Sequence, residues 1–364
     1  MLEMLRVLQC VNNMDRAGLE NMLMNYYRNI DRKQVQFDFL THRKEKGAYE
    51  DEIIKMGGKV YHAPRLYPQN YPAYFKWMSC FFAEHPEYHI VHSHIDAMSF
   101  FPLLAAKKAG ITARIAHSHS SKLDNDFKFP IKYLALKGIA TVANVNCACG
   151  EKAGKFMFGS REFYIIHNAI DLKRFSYNET ERRLKRNELD ISQDSFVIGH
   201  VGRYCYIKNQ SFLIDVFYEV LRERPNSILL LVGNGPDEGK IKRRIENLGI
   251  SSKVKLLKNR DDVNELYQVM DVFVMPSLFE GLPVVGVEAQ ANGLTCFISD
   301  NVSKEVVLSD STFLLDLDLG VRGWKEAILN ASCQRNNMAL VQLKEHNYDV
   351  LVEARKLLDF YKSL

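Results

Sequence analysis

No stretch of this sequence approaches 18 consecutive apolar residues, so it holds no candidate transmembrane helix. Its opening, MLEMLRVLQC, turns polar too soon to read as a signal peptide, and the expectation is a soluble, cytoplasmic protein. A charge excess is missing too. Lys and Arg number 48 against 44 Asp and Glu, a formal +4. That is too mild to suggest a nucleic-acid binder, though compatible with phosphorylated ligands or an anionic membrane surface. The seven cysteines form no spaced framework, which fits reduced thiols rather than a disulfide scaffold. Cys147 and Cys149 share one face of a predicted strand with no second pair to complete a zinc set, and read as small core residues. Neither Pro nor Gly is in excess, which excludes a low-complexity or collagen-like chain.

What is present is alternation. In 364 residues there is room for two domains of ordinary size. In the first half, predicted strands at Leu5–Leu8, Phe37–Leu40, Val60–Tyr61, His89–His92, Ala113–Ala116, Val145–Ala148 and Phe163–Ile166 are interleaved with segments of helical period. Residues 171–194 change character: they are rich in Arg, Lys, Glu and Asn and contain the run Arg182-Arg183-Leu184-Lys185-Arg186, which reads as a solvated linker helix. The alternation then restarts, with strands at Phe196–Val201, Ile228–Val232, Val254–Leu257, Val272–Met275 and Thr295–Ile298. Strand and helix at this spacing predict parallel sheets covered on both faces, an α/β fold of two doubly wound units in tandem. The boundaries expected are a first domain over 1–171, a linker over 172–194, a second domain over 195–345, and a final helix over 346–364 that crosses back to the first domain.

Three loops carry chemistry. Gly202-Arg203 and Lys208-Asn209 follow strand Phe196–Val201, placing two cations where a helix begins, a setting suited to a diphosphate. Val232-Gly233-Asn234-Gly235-Pro236 is a small-residue turn that lets backbone approach a ligand closely. Pro276 to Gly293 brackets a Gly281-Leu282-Pro283 turn with Glu280 and Glu288, the first at a strand's carboxyl end and the second inside a helix started by Pro283.

Taken in order, GR-x4-KN at 202–209, VGNGP at 232–236 and DVFVMPSLFEGLPVVGVEAQANG at 271–293 resemble the donor-binding domain of GT-B glycosyltransferases. The resemblance is to retaining family 4 enzymes, whose hallmark is the E-x7-E spacing of Glu280 and Glu288, and the wording is similar to bacterial capsular and exopolysaccharide enzymes. It implies two Rossmann-like domains facing a cleft. It further implies transfer of a sugar from a nucleoside diphosphate-sugar, UDP-linked by preference, to a glycan or lipid-linked saccharide. Arg203 and Lys208 match the pair that neutralises the leaving diphosphate, with Gly202, Asn234 and Gly235 lining the donor site; Glu288 matches the ribose-binding carboxylate and Glu280 the one on the donor sugar. Backbone amides of Gly281, Leu282 and Val284 would lie close, whereas Pro283 has no N–H to give. Gly18 matches the first-loop glycine facing the diphosphate, although Ala17 stands where the family shows a second glycine. His117 matches the histidine near the sugar's reacting carbon. The pattern implies no cofactor and no metal, and the expected enzyme is a metal-independent hexosyltransferase-type glycosyltransferase. Alternatives are an epimerase-like or phosphorylase-like member of the architecture, or a non-catalytic partner subunit.

His92, His94, His117 and His119 sit at two strand ends, and residues two apart point the same way on a strand. A metal site is the competing reading; no carboxylate set accompanies it. His94 and His119 remain candidates for acceptor contacts or scaffold. Phe127–Lys137 interleaves aromatics with Lys128, Lys132 and Lys137, as in basic stretches that lie on an anionic leaflet, or in a helix packed on the sheet with solvated lysines.

Overall fold

The computed structural model describes residues 4–123, 128–258 and 260–364. The chain divides into two compact units, one formed by Met1–Ala169 with Val350–Leu364 and the other by Ile170–Asp349.

The first unit is built on seven strands: β1 Leu5–Val11, β2 Val35–Thr41, β3 Val60–His62, β4 Tyr88–Ser93, β5 Ala113–Ser118, β6 Val145–Ala148 and β7 Tyr164–Ile165. They form one parallel sheet in the order β3-β2-β1-β4-β5-β6-β7. Alternation within β1 sends Val7 and Val11 to one core and Leu8 and Cys10 to the other. The first core is covered by the helix Gly18–Asn29 and by the last helix, Val350–Lys362, through Ala354, Leu357 and Tyr361. The second is covered by the helices Tyr71–Glu84, Phe100–Lys108 and Phe129–Val142. Cys147 and Cys149 are buried and not in disulfides.

The second unit repeats the plan with β8 Phe196–Val201, β9 Ser227–Val232, β10 Val254–Leu257, β11 Val272–Met275, β12 Thr295–Ser299 and β13 Thr312–Leu315, all parallel, in the order β10-β9-β8-β11-β12-β13. In both sheets the strand order reverses beside the first strand. That reversal opens a crevice at the carboxyl ends of β1 and β4, and of β8 and β11, where doubly wound sheets bind ligands.

Residues 172–194, read from sequence as a linker, belong to this second unit. The helix Glu179–Glu188 packs against the helix Val263–Val269, and the basic run is only partly solvated: Arg183 and Leu184 are exposed, but Arg186 is fully buried and Lys185 nearly so. Arg182 and Arg186 pair with Asp271 at 2.6 and 2.9 Å and donate to the carbonyls of Gln268, Val269 and Met270. These cations cap a helix C-terminus, whose carbonyls otherwise lack partners. Lys185 meets Glu188, Asp262 and Glu265. Composition alone hides this, because a charge run has the same letters whether it faces water or three carboxylates.

Two further elements lie outside the sequence reading. The helix Glu151–Phe158 and the edge strand β13 are short, and β13 is only partly buried, which weakens its alternation. Among the described residues no helix is long and apolar enough to cross a membrane.

Candidate active site

The loops singled out in the second unit meet at its switch point. After β8, Gly202 and Arg203 lead through a single turn, Tyr206–Lys208, to Asn209, whose left-handed backbone (φ 54°) starts the helix Gln210–Glu223. After β11, Pro276 and Ser277 lead to Glu280. The two loops are tied together by Leu278 N–H donating to Ile207 O at 2.8 Å and by Asn209 Nδ2 donating to Pro276 O at 3.2 Å. Lys208 Nζ then lies 2.6 Å from Glu280 Oε2, and Ser277 Oγ donates to the other carboxylate oxygen. Lys208 and Glu280 are each mostly buried, whereas Arg203 is exposed. His200, beneath the loop, is fully buried; Val274 O lies 2.9 Å from its Nδ1, and burial lowers its pKa to about 4, so it is neutral.

The glycines of the Val232–Pro236 turn serve a nearer purpose than the ligand approach read from sequence. Gly233 (φ 146°) and Gly235 (φ 159°) let this turn lie against the first loop, where a Cβ would come 2.1 Å from Gly202 O and 2.2 Å from Tyr204 O respectively. Asn234 completes the contact by accepting from Tyr204 N–H at 2.8 Å. Backbone contacts therefore help to hold the cationic loop in place, beside the side-chain bonds of Asn209 and Lys208.

Gly281, Leu282 and Pro283 precede the helix Val284–Ala291, which begins after Pro283. First-turn N–H groups have no acceptor inside a helix, so this end favours anionic or hydroxyl-rich ligands. Glu288 lies inside that helix, 8% exposed, with the Tyr267 hydroxyl donating to its Oε2 at 2.9 Å. Burial raises its pKa to about 7, against the lowering effect of the Tyr267 hydrogen bond. A carboxylate poised this way gains from hydroxyl donors, because each one stabilises its charged form.

In the first unit Gly18 opens the helix Gly18–Asn29, and beyond its chain neighbours and its own helix backbone no described residue lies within 4 Å of where its Cβ would be. Two residues on, Glu20 is buried and its pKa is raised to about 7, mainly by that burial. The sequence reading passed over it. Glu20 stands three residues after Ala17, a helix cap with no side-chain acceptor, so no capping box pointed to it.

The four histidines also come together. His92 Nε2 lies 3.1 Å from His117 Nδ1, and His94 Nδ1 lies 3.0 Å from His119 Nε2. The Tyr361 hydroxyl is 2.7 Å from His92 Nδ1, and Gln9 Oε1 is 2.8 Å from His94 Nε2. Ligating nitrogens of His92, His94 and His117 all fall within 4.8 Å of one another, so the convergence a metal would need is present, although among the described residues no carboxylate joins it. Of the buried nitrogens in these rings, His117 Nε2 has no hydrogen-bond partner among the described residues. Burial, reinforced by neighbouring rings, holds His92, His94 and His117 well below the usual imidazole range.

Two doubly wound parallel units, with a Lys–Glu pair and a buried glutamate at a sheet's switch point, have the architecture expected of a GT-B glycosyltransferase. Comparison with known proteins gives the family. The model described as Glycosyltransferase Family 4 matches residues 16–174 and that described as Glycosyl transferases group 1 matches residues 181–315. The putative glycosyltransferase EpsF of Bacillus subtilis is 34% identical over 368 residues, covering 98% of this chain and 96% of that protein. The capsular polysaccharide biosynthesis glycosyltransferase CapH of Staphylococcus aureus is 24% identical over 378 residues, 99% of each chain. Among solved structures, Anabaena Alr3699/HepE in complex with UDP-glucose superposes with a TM-score of 0.81 at 17% identity, covering 99% of this chain and 100% of that one. The chain belongs to the family 4 glycosyltransferases.

Proposed function

We propose that this glycosyltransferase is a retaining, metal-independent enzyme that moves a sugar from a UDP-sugar to a glycan or lipid-linked saccharide in bacterial surface-polysaccharide synthesis. The observation that carries the reading is the Lys208–Glu280 pair, which joins the loops after β8 and β11 at the switch point. Support for the donor and the setting comes from the similar proteins, crystallised with UDP-glucose in one case and named for capsular polysaccharide in another.

Each group then has a task. Arg203 and Lys208, with Gly202, Asn234 and Gly235 shaping the loops, stabilise the negative charge that grows on the departing diphosphate. Fixed cations do this without reorganising at the moment of reaction, and on this reading they take the part a divalent ion would otherwise play. Glu288 accepts from the ribose hydroxyls. Glu280 accepts from hydroxyls of the donor sugar, near the amides of Gly281, Leu282 and Val284, while Pro283 donates nothing. The amide of Gly18 approaches the diphosphate. His117, neutral because of its burial, orients the sugar and is not a base.

The helix Phe129–Val142 is proposed as a peripheral membrane contact. It buries Ala135, Ile139 and Val142 and leaves Phe129, Tyr133 and Leu134 exposed, with Lys137 beside the Tyr133 ring and Lys128 over Tyr67. This face combines apolar side chains with cations, as interfacial helices do. Phe127, part of the stretch noted in the sequence, lies outside the described residues.

A thermal-shift screen across UDP-, GDP- and ADP-sugars tests the donor assignment, because a ligand bound only by the folded state stabilises it by mass action. A shift with UDP-sugars alone supports it. Equal shifts with all three nucleotides, or none with UDP-sugars, would overturn it.

A further inference from the structure

We propose that Tyr361, on the last helix, is a positioning residue for the transfer reaction. Acting through His92, it holds His117 as the Nε2–H tautomer, so that His117 offers the donor sugar a neutral hydrogen-bond donor. This rests on the assignment of His117 to the sugar made above.

Hydrogen bonds fix the order of the protons. A neutral imidazole has one nitrogen that donates and one that accepts, and which is which follows from the partner of the other nitrogen. The order starts at Gln9, buried on β1. Its Nε2 can only donate, and it does so to the Tyr361 hydroxyl at 3.2 Å. The phenolic oxygen accepts there, so its single proton points to His92 Nδ1, 2.7 Å away. His92 then carries its proton on Nε2 and gives it to His117 Nδ1 at 3.1 Å. His117, with Nδ1 occupied as an acceptor, must carry its own proton on Nε2. That is the buried nitrogen for which no described residue supplies a partner.

The second string runs in parallel and agrees. Gln9 Oε1 can only accept, so His94 is protonated on Nε2 and takes a proton at Nδ1 from His119 Nε2. The rings two residues apart lie close, with His117 stacked on His119 and His92 tilted against His94, the centroids 4.1 Å apart in each case. Turning the Gln9 amide over would reverse both strings. It would also make the phenol oxygen accept from His92, exchanging a good imidazole acceptor for a poor phenolic one. One amide on β1 therefore sets the polarity of four histidines, and Tyr361 transmits it. Tyr361 reaches this place because its helix packs in the first unit, with its ring edge-on to Phe37 at 5.8 Å.

The chemistry this supports is orientation, not proton abstraction. A donor of fixed direction holds a sugar oxygen as the bond to the leaving diphosphate lengthens, and it adds no charge beside a carbon that is becoming positive.

The test combines NMR with kinetics on the full chain. In 15N-histidine-labelled protein, with His117 assigned by its loss in H117Q, the wild type should show His117 as the Nε2–H tautomer. Y361F, which keeps the ring but removes the hydroxyl, should show a mixture. With the best donor from a panel of UDP-glucose, UDP-galactose and UDP-N-acetylglucosamine, Y361F should lower kcat about tenfold, the scale of one hydrogen bond, with KM little changed. Glutamine at position 117 carries an amide donor that needs no tautomer, so Y361F made in the H117Q background should cost less than about twofold further. A purely structural Tyr361 would cost the same in both backgrounds. An Nδ1–H His117 in the wild type, an unchanged tautomer and kcat in Y361F, or a stoichiometric transition metal on these histidines would each overturn the relay. Full activity in H117A would instead overturn the assignment of His117 to the sugar, and with it the relay's purpose, while the tautomer measurement still stands.

Discussion

Lys208 Nζ and Glu280 Oε2 are 2.6 Å apart across 72 residues of sequence. The pair links the loop after β8 to the loop after β11, and it neutralises a cation that a diphosphate would otherwise attract. On the proposed function donor binding would divide these partners, with Lys208 turning to phosphate and Glu280 to sugar hydroxyls.

That division separates two variants. K208A should weaken UDP itself by about 10- to 100-fold, the effect of losing one charge-assisted hydrogen bond. E280A should leave UDP affinity equal or higher, since Lys208 is freed, yet lose transfer by at least about 100-fold. Calorimetry with UDP beside transfer rates with a UDP-sugar reads both; equal losses of UDP affinity in the two variants would contradict the split.

Glu288 gives a pH dependence with a definite sign. Its pKa is raised to about 7, so below that pH the carboxyl is mostly protonated and, in the ribose-binding role proposed for it, would have to lose its proton before accepting from both hydroxyls. UDP affinity should therefore rise with pH, with Kd about tenfold weaker at pH 6 than at pH 8, and level off above it. E288Q should flatten the profile. Y267F removes a hydrogen bond that favours the carboxylate, so its profile should move to higher pH.

Arg186 predicts a stability effect without a catalytic one. It is fully buried and pairs with Asp271, so R186A leaves a carboxylate without one of its cations and helix carbonyls without a donor. The expected loss is about 3–5 kcal/mol in chemical denaturation, with kcat of the folded fraction unchanged. A loss under about 1 kcal/mol would show the run to be the solvated surface its composition suggests.

The helix Phe129–Val142 is tested by flotation with anionic vesicles. Reversing Lys128, Lys132 and Lys137 to Glu should abolish binding to phosphatidylglycerol vesicles, and Y133S with L134S should weaken it. Binding that survives the charge reversal rules the surface out.

How much of this was legible before the structure depends on the kind of signal. Strands β8 and β11 follow the predicted bounds because each is a short apolar run between polar turns, buried on both faces, and β10, a partly buried edge strand, follows them too. Glu280, Glu288, Arg203 and Lys208 stood out by order and spacing, which survive in the sequence whatever the fold does. The glycines at 233 and 235 were visible as glycines, but that they accommodate the carbonyls of Gly202 and Tyr204 is a relation between loops. The burial of Arg186 depends on Asp271, 85 residues away, and the histidine array depends on Tyr361, 269 residues from His92. Partners at such separations leave no local period to read.

The central claim is that the switch point of β8 and β11 is the UDP-sugar site. Calorimetric titration of UDP into the wild type, K208A and E288A measures it most directly. The account predicts one site in the wild type, weakened about tenfold or more by each substitution. Wild-type affinity retained in both variants, or no binding of UDP at all, would contradict it.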